Sequence, residues 1–252
     1  MKLQKKISKA FRKQRFDPTL PLGLVLNDSY LPKRCIRNFV KKGASYFTGK
    51  VLDVGCGGKP YQAFFKCESY IGIDLETGDL ERNEYNAADF YYDGLTIPFG
   101  NDSFDQVVST EVIEHVADPI LFMQEINRVL KPGGIVMLTT PFVWHEHGVP
   151  FDYQRLTYYG MDNLMKKTGF REVESKKILN GPELFPVLVA VYVNDLKTRL
   201  LKKMGNKRLL SILLYLFFRP FILLNNIFTL FLSIFPRDKN LYFNNGVIYR
   251  KV

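Results

Sequence analysis

From residue 50 onward the apolar positions fall into short continuous runs separated by stretches with helical spacing. The runs predict strands over 50–54, 70–74, 104–109 and 135–140, and a short strand ending near Asp93. Between the third and fourth of these runs, Ile120, Met123, Ile126, Val129 and Leu130 recur on one face, which predicts a helix over 119–130. Lys131-Pro132-Gly133-Gly134 should stop that helix sharply. Further helices are expected over 33–48 and 161–168, and further strands over 171–178 and 245–250. Seven strands of this kind, several apolar throughout and alternating with helices, predict an α/β fold. Its sheet should be mostly parallel and covered by helices on both faces.

Two segments do not fit this alternation. Residues 1–15, MKLQKKISKAFRKQR, carry seven Lys or Arg and no acid, with Leu3, Ile7, Ala10 and Phe11 at helical spacing. They read either as a solvated tail or as a basic amphipathic helix for a membrane surface. Between the last two strands lies an apolar insertion. Residues 209–218 read LLSILLYLFF, Arg219-Pro220 interrupts, and a second run extends to Phe235. Neither half reaches the roughly 20 apolar residues that span a bilayer. Arg219, Pro220, Asn225 and Asn226 lie inside the whole. Because the insertion leaves one strand and returns to another in the same sheet, a single crossing is excluded. A helical pair broken at Arg219-Pro220 is expected, acting as a lid or lying in the membrane interface. The expected organisation is a basic extension (1–32), a core (33–180), the insertion (181–240) and a last core strand (241–252).

Charge sharpens this picture. Over 252 residues the formal net charge is +10, which favours anionic partners. Arg199, Lys202, Lys203, Lys207 and Arg208 precede the apolar insertion, and Arg237 and Lys239 follow it. Basic residues beside apolar ones favour an anionic membrane surface over nucleic acid. Cys35, Cys56 and Cys67 form no CxxC pair, which fits a reducing compartment, and no secretory leader is visible. The expected location is cytoplasmic, peripheral on the inner face of the cell membrane.

The chemistry begins at VLDVGCGG, a strand (50–54) followed by a glycine-rich turn. Glycines allow positive φ and close backbone approach to a ligand, and a ligand is expected beyond the carboxyl end of such a strand. Asp74 ends the next strand, where a carboxylate can accept hydrogen bonds from ribose hydroxyls. A dinucleotide fingerprint would require Gly at position 60, and this chain has Pro60.

Four motifs in order, VLDVGCGG, IGID, TIPFGNDSFDQVVSTEVIEHV and INRVLKPGG, resemble the class I S-adenosylmethionine-dependent methyltransferase family. The resemblance covers about residues 36–178. It is strongest to the subgroup with ubiquinone and menaquinone biosynthesis enzymes and enzymes of bacterial glycan clusters. It implies a Rossmann-like methyltransferase fold and S-adenosylmethionine as cofactor. It implies that Asp53, Gly55, Cys56 and Gly57 approach the methionine end, and that Asp74 and Leu75 lie at the ribose. Asp93, or alternatively Asp89, would sit by the adenine, and Thr110 and Glu111 would line the pocket. The family often has a third glycine where this chain has Lys59, whose side chain either pairs with the cofactor carboxylate or, the reading preferred, points to solvent.

Methyl transfer from a sulfonium depends mainly on positioning and water exclusion, and a hydroxyl acceptor also benefits from a base. Candidate bases are His147 and His115, the latter in the Glu114-His115 pair. Around His147 the loop 144–155 holds two of the three His, the sole Trp, the two acids Glu146 and Asp152, and Arg155. Trp144, His145, Glu146, Asp152, Tyr153 and Arg155 are therefore candidate acceptor contacts, although Asp152 and Arg155 could instead pin the loop. His145 and His147 alternate in a loop with no third ligand in spacing, so no metal site is expected. The acceptor expected is a small amphipathic or lipid-linked molecule, either a glycan intermediate or a quinone-like ring. An RNA-modifying enzyme and a non-catalytic S-adenosylmethionine-binding module are the alternatives.

Overall fold

The computed structural model describes residues 22–27, 29–76, 87–204, 208–238 and 240–252. The basic segment 1–15 lies outside the described residues. The chain divides into two compact units, one of residues 38–178 and 244–252, the other of residues 1–37 and 179–243.

The first unit is built on a seven-stranded sheet. Its strands are β1 (Lys50–Val54), β2 (Ser69–Leu75), β3 (Phe90–Tyr92), β4 (Phe104–Thr110), β5 (Leu130–Pro141), β6 (Phe170–Ile178) and β7 (Asn244–Lys251). They lie in the order β3-β2-β1-β4-β5-β7-β6. β1 to β5 pair in parallel, whereas β7 runs antiparallel between β5 and β6. The strand order reverses between β1 and β4, which is where ligands bind in open α/β sheets.

Alternation along the strands sends residues to two faces. Leu52, Val54, Val107, Val136, Leu138, Val247 and Tyr249 pack in one apolar cluster. Into that cluster α3 (Pro119–Val129) sends Phe122, Met123, Ile126 and Val129, and α4 (Tyr158–Lys167) sends Met161, Leu164 and Met165. On the other face the end of α2 (Tyr30–Gly43) comes so close that a Cβ on Gly43 would lie 2.5 Å from Met137 Sδ. Asp118 caps α3 by accepting from the N–H groups of Ile120 and Leu121 at 3.0 and 3.1 Å, ahead of Pro119 in the first turn.

Several boundaries differ from expectation: the helix expected over 161–168 spans Tyr158–Lys167, and two other differences are larger in consequence. α2 starts at Tyr30 and ends at Gly43, followed by a single 3-10 turn, Ala44–Tyr46. The helix over 119–130 ends at Val129, because Leu130 already pairs with Phe104 in the sheet. Lys131-Pro132-Gly133-Gly134 thus lies within β5, as an irregular stretch with Gly133 at φ 75° and a register shift opposite Phe104 and Gln106.

The second unit contains α1 (Leu22–Leu26) and two long helices, α5 (Leu184–Met204) and α6 (Arg208–Leu232). The expected break at Arg219-Pro220 is corrected here: α6 runs straight through Pro220. An internal proline costs a helix about 3 kcal/mol, and packing on α1 offsets that cost. Arg219 Nη1 donates to Val25 O at 2.6 Å, and Asn226 Nδ2 donates to Leu24 O at 2.8 Å and Asn27 O at 2.9 Å. The polar residues that interrupt the apolar run therefore satisfy carbonyls at the end of α1, which a helix C-terminus leaves unpaired. Among the described residues, no helix is long and apolar enough to cross a membrane.

Candidate active site

The turn after β1 is closed by hydrogen bonds from within its own neighbourhood. Gly55 N–H and Cys56 N–H both donate to Ile73 O, at 2.9 and 3.0 Å. Gly55 has φ 72°, and a Cβ there would lie 2.4 Å from Val112 Cγ2, so only glycine fits. Gly57, at φ 48°, faces open space: a Cβ on it would meet nothing within 4 Å. Gly57 N–H donates to Asp74 Oδ2 at 2.9 Å, and Leu75 N–H donates to Asp74 Oδ1 at 2.8 Å. The half-buried Asp74 carboxylate is thus fixed in orientation, and each oxygen keeps a lone pair for a ribose hydroxyl. Leu75 is 40% exposed at the mouth of this space. The residues present fit S-adenosylmethionine: a glycine cradle with room before it, and an oriented acceptor where a ribose would lie.

Asp53 is buried, and its Oδ2 accepts from Tyr70 OH at 2.6 Å. Burial pushes its carboxyl up to about 7, while Tyr70 and Lys59 restrain it. Burial, with Asp53 nearby, also pushes the Cys56 thiol up to about 12, so Cys56 packs rather than reacts. Tyr70 is a residue that sequence reasoning missed; its place on β2, one strand from Asp53, was the available signal.

Lys59 does not point to solvent. Its side chain is only 8% exposed and its Nζ lies 2.5 Å from Asp89 Oδ2. Asp89 Oδ2 also accepts from Gly72 N–H at 2.7 Å. Asp89 therefore ties the glycine turn to β2. Asp93 follows β3, is exposed, and accepts from the N–H groups of Leu95 and Thr96, both at 2.8 Å. Those N–H groups hold its carboxyl below the usual carboxylate range.

A second cluster forms where β4 and β5 end. Thr110 closes β4 opposite Thr139, and Glu111 follows in the left-handed region at φ 55°. Asn244 Nδ2, at the start of β7, donates to both Glu111 oxygens at 2.8 and 3.1 Å. Burial and the Glu114 charge push the Glu111 carboxyl up to about 7. Ile113–His115 is a 3-10 turn, pinned by Gln154 Nε2 donating to Ile113 O and Val116 O at 2.8 and 3.2 Å. It buries Glu114 completely. Thr140 Oγ1 donates to Glu114 Oε2 at 3.4 Å, while Glu114 Oε1 has no hydrogen-bond partner.

The loop after β5 brings His147 against this turn. His147 Nε2 lies 3.7 Å from Glu114 Oε1, and His115 Nε2 lies 3.9 Å from the same oxygen. The Glu114 carboxylate raises the His147 imidazole above its ordinary value, against its partial burial. Asp152 and Arg155 pin the loop. They form a two-pronged ion pair at 2.6 and 2.7 Å, Asp152 Oδ2 accepts His147 N–H at 2.8 Å, and Arg155 Nη2 donates to His145 O at 3.1 Å. Arg155 accordingly holds the Asp152 carboxyl far below the usual range. Trp144 lies against the exposed His145 with ring centroids 5.0 Å apart and planes tilted by 55°, Glu146 is exposed, and Tyr153 is 51% exposed while its N–H donates to Glu114 O at 2.9 Å. The fold therefore gathers His115, His147 and Glu114, and leaves Trp144, His145, Glu146 and Tyr153 on the rim.

Residues 52–138 match the family model described as a methyltransferase domain. A ubiquinone biosynthesis O-methyltransferase of Haemophilus ducreyi is 33% identical over 121 residues, covering 41% of this chain and 50% of the relative. A Mycolicibacterium smegmatis protein named as a probable S-adenosylmethionine-dependent methyltransferase is 30% identical over 146 residues, covering 53% of this chain and 56% of the relative. The chain spans about half the length of these curated relatives. Among solved structures, phosphoethanolamine N-methyltransferase 2 of Haemonchus contortus, in complex with S-adenosyl-L-methionine, shares the fold. Its TM-score is 0.53 at 22% identity, over 90% of this chain and 55% of that one. The matched residues 52–138 lie within the sheet unit and include the glycine turn, so this part of the chain carries a methyltransferase domain.

Proposed function

We propose that the protein is an S-adenosylmethionine-dependent methyltransferase whose acceptor is a small amphipathic or lipid-linked molecule met at an anionic membrane surface. The cofactor half of this reading rests on the glycine cradle facing open space before an oriented Asp74. Bound there, S-adenosylmethionine supplies an activated methyl group. Asp74 holds the ribose, the turn at Gly55 and Gly57 admits the methionine end, and Thr110 and Glu111 line the side toward the acceptor. Asp93 lies beyond the end of β3 for the adenine.

One observation carries the membrane half. On α6, Leu213, Leu216, Phe217, Phe221, Leu224, Ile227, Phe228 and Phe231 are all exposed and recur at three- and four-residue spacing. Phe185, Leu188, Tyr192 and Leu196 repeat that spacing on α5. An apolar face of this length on a chain of net charge +10 suits an interfacial helix on anionic lipid. A quinone-like ring or a glycan on a lipid carrier is an acceptor that a membrane surface presents, and the Haemophilus relative is named for ubiquinone biosynthesis. On this reading His147, which lies beside Glu114, is the base that takes the proton a hydroxyl on such an acceptor loses.

Co-sedimentation with vesicles of anionic and of zwitterionic lipid tests the membrane reading. Anionic vesicles should retain the protein, and a Phe217→Ser, Leu224→Ser, Phe228→Ser variant should be released. Indifference of the native chain to anionic vesicles would sink the idea. Turnover of S-adenosylmethionine with a long-chain hydroxylated quinol, compared with RNA, tests the acceptor class.

A further inference from the structure

The three groups gathered at the ends of β4 and β5 have a feature that a base alone does not require. Glu114 is fully buried, and its Oε1 has no hydrogen-bond donor. A buried carboxylate oxygen left bare is costly, and native proteins leave few such groups without a reason. Two imidazole nitrogens face that oxygen, His147 Nε2 at 3.7 Å and His115 Nε2 at 3.9 Å. Both separations are too long for hydrogen bonds.

The opposite edge of each ring explains which nitrogen is bare. His115 Nδ1 lies 2.6 Å from Phe151 O, and a carbonyl can only accept, so Nδ1 carries the proton and donates. His147 Nδ1 lies 3.3 Å from His145 O and 3.4 Å from Asp152 Oδ2, both of them acceptors. In the neutral rings both Nε2 lone pairs are therefore turned toward Glu114 Oε1. An Nδ1–H held by a carbonyl or carboxylate is the arrangement that orients histidines bound to metal ions. The three ligand atoms lie within 4.8 Å of one another. Ligand atoms sharing a tetrahedral cation, at bonds of about 2.1 Å, are about 3.4 Å apart, so modest contraction would complete the site.

The backbone is shaped to permit this meeting. Gly148, at φ 64°, lets the loop pass so close that a Cβ would lie 2.9 Å from His115 Cε1. The two rings meet edge to face with centroids 4.6 Å apart. His115 and His147 side chains remain 23% and 30% exposed, which leaves a path for an ion.

We propose that Glu114, His115 and His147 form a binding site for a divalent first-row transition cation. Two neutral imidazoles and one carboxylate suit zinc, manganese, iron(II) or cobalt(II), with coordination positions left over for water or an acceptor oxygen. A cation there gives Glu114 Oε1 its missing partner. It also occupies Nε2 of His147, so in the loaded protein His147 is a ligand rather than a base. Where the methyl-transfer reading of the previous subsection holds, an acceptor hydroxyl on an open position would be acidified by the cation instead. The site itself does not depend on that reading.

The test is direct binding to the full chain after treatment with chelator, using cobalt(II) for its visible absorption and zinc for calorimetry. One equivalent of cation should bind, with cobalt(II) bands that mark nitrogen and oxygen ligands. Glu114→Gln and His147→Ala should each weaken binding about a hundredfold or more, and His145→Ala, which removes the neighbouring imidazole, should leave it unchanged. Circular dichroism and thermal unfolding of each variant separate loss of the site from loss of the fold. The proposal fails if the native chain takes up no cation at millimolar concentration, or if His145→Ala weakens binding as much as His147→Ala does. Because the readout is cation binding, a chain that binds cation but transfers no methyl group would refute the enzyme reading and leave this one standing.

Discussion

The turn after β1 and the turn after β4 each bury a carboxylate at the same edge of the sheet, and they treat it in opposite ways. Asp53 receives a hydrogen bond from Tyr70, and Asp74 and Asp89 receive backbone N–H groups. Each of these carboxylates has a hydrogen-bond donor within the region, and open space lies in front of Gly57. Glu114, by contrast, keeps one oxygen without a donor and faces two imidazoles at distances too long for bonding. A carboxylate oriented by protein donors presents its remaining lone pairs in a fixed direction, whereas a buried oxygen with no donor is left in want of a partner. On the readings proposed above, the first region goes to the cofactor and the second to a cation.

The contrast can be broken most severely at Asp74. Asp74→Ala removes the carboxylate proposed to hold the ribose and the anchor of Gly57 N–H. S-adenosylmethionine affinity should fall about a hundredfold, ~3 kcal/mol, in calorimetry. An unchanged affinity would show that the cofactor does not lie on this turn.

Asp53 offers the next largest effect, on stability. Its folded pKa is raised from 3.8 to about 7, so ionisation disfavours the folded state. The stability present below about pH 4 is lost progressively as pH rises through about 7. Asp53→Asn, which still accepts from Tyr70, should therefore raise stability at pH 8 by ~2–4 kcal/mol. Urea unfolding at pH 5 and pH 8 would show a flatter profile than the native chain, with cofactor affinity lowered. A variant less stable at pH 8 would mean that the carboxylate is better served than its burial implies.

Gly148→Ala sharpens the other side. The added methyl would strain a positive φ and press on His115, so stability should drop by ~1 kcal/mol. Cation affinity should drop about tenfold, while S-adenosylmethionine binding holds; equal losses of both ligands would mean that the two regions are not separate devices. The smallest effect is expected for Lys59→Met. Its partner Asp89 is 44% exposed, so solvent screens the pair and the loss should stay below ~1 kcal/mol. A much larger loss in thermal unfolding would make Lys59 a principal clamp of the turn.

Most strands and the cofactor turn were legible because their determinants are close in sequence. The partners Asp53 and Tyr70, Gly57 and Asp74, and Gly72 and Asp89 are each 17 residues apart, within two successive strand-and-turn units. Lys59 was misread because its partner Asp89, 30 residues away, looked like a candidate for adenine. The break at Arg219-Pro220 was misread because the donors there face α1, nearly 200 residues earlier in the chain.

The sequence by itself determined the α/β alternation, the glycine turn with Asp74 beyond the carboxyl ends of neighbouring strands, and the greasy character of residues 209–235. Periodicity, turn chemistry and local spacing suffice for those. Only the tertiary structure decided that Glu114, His115 and His147 share one point, and that Asn244 reaches Glu111 across 133 residues. No spacing rule could reveal them, because parallel pairing of β4 with β5, and β7 inserted antiparallel beside β5, carry distant loops to one edge.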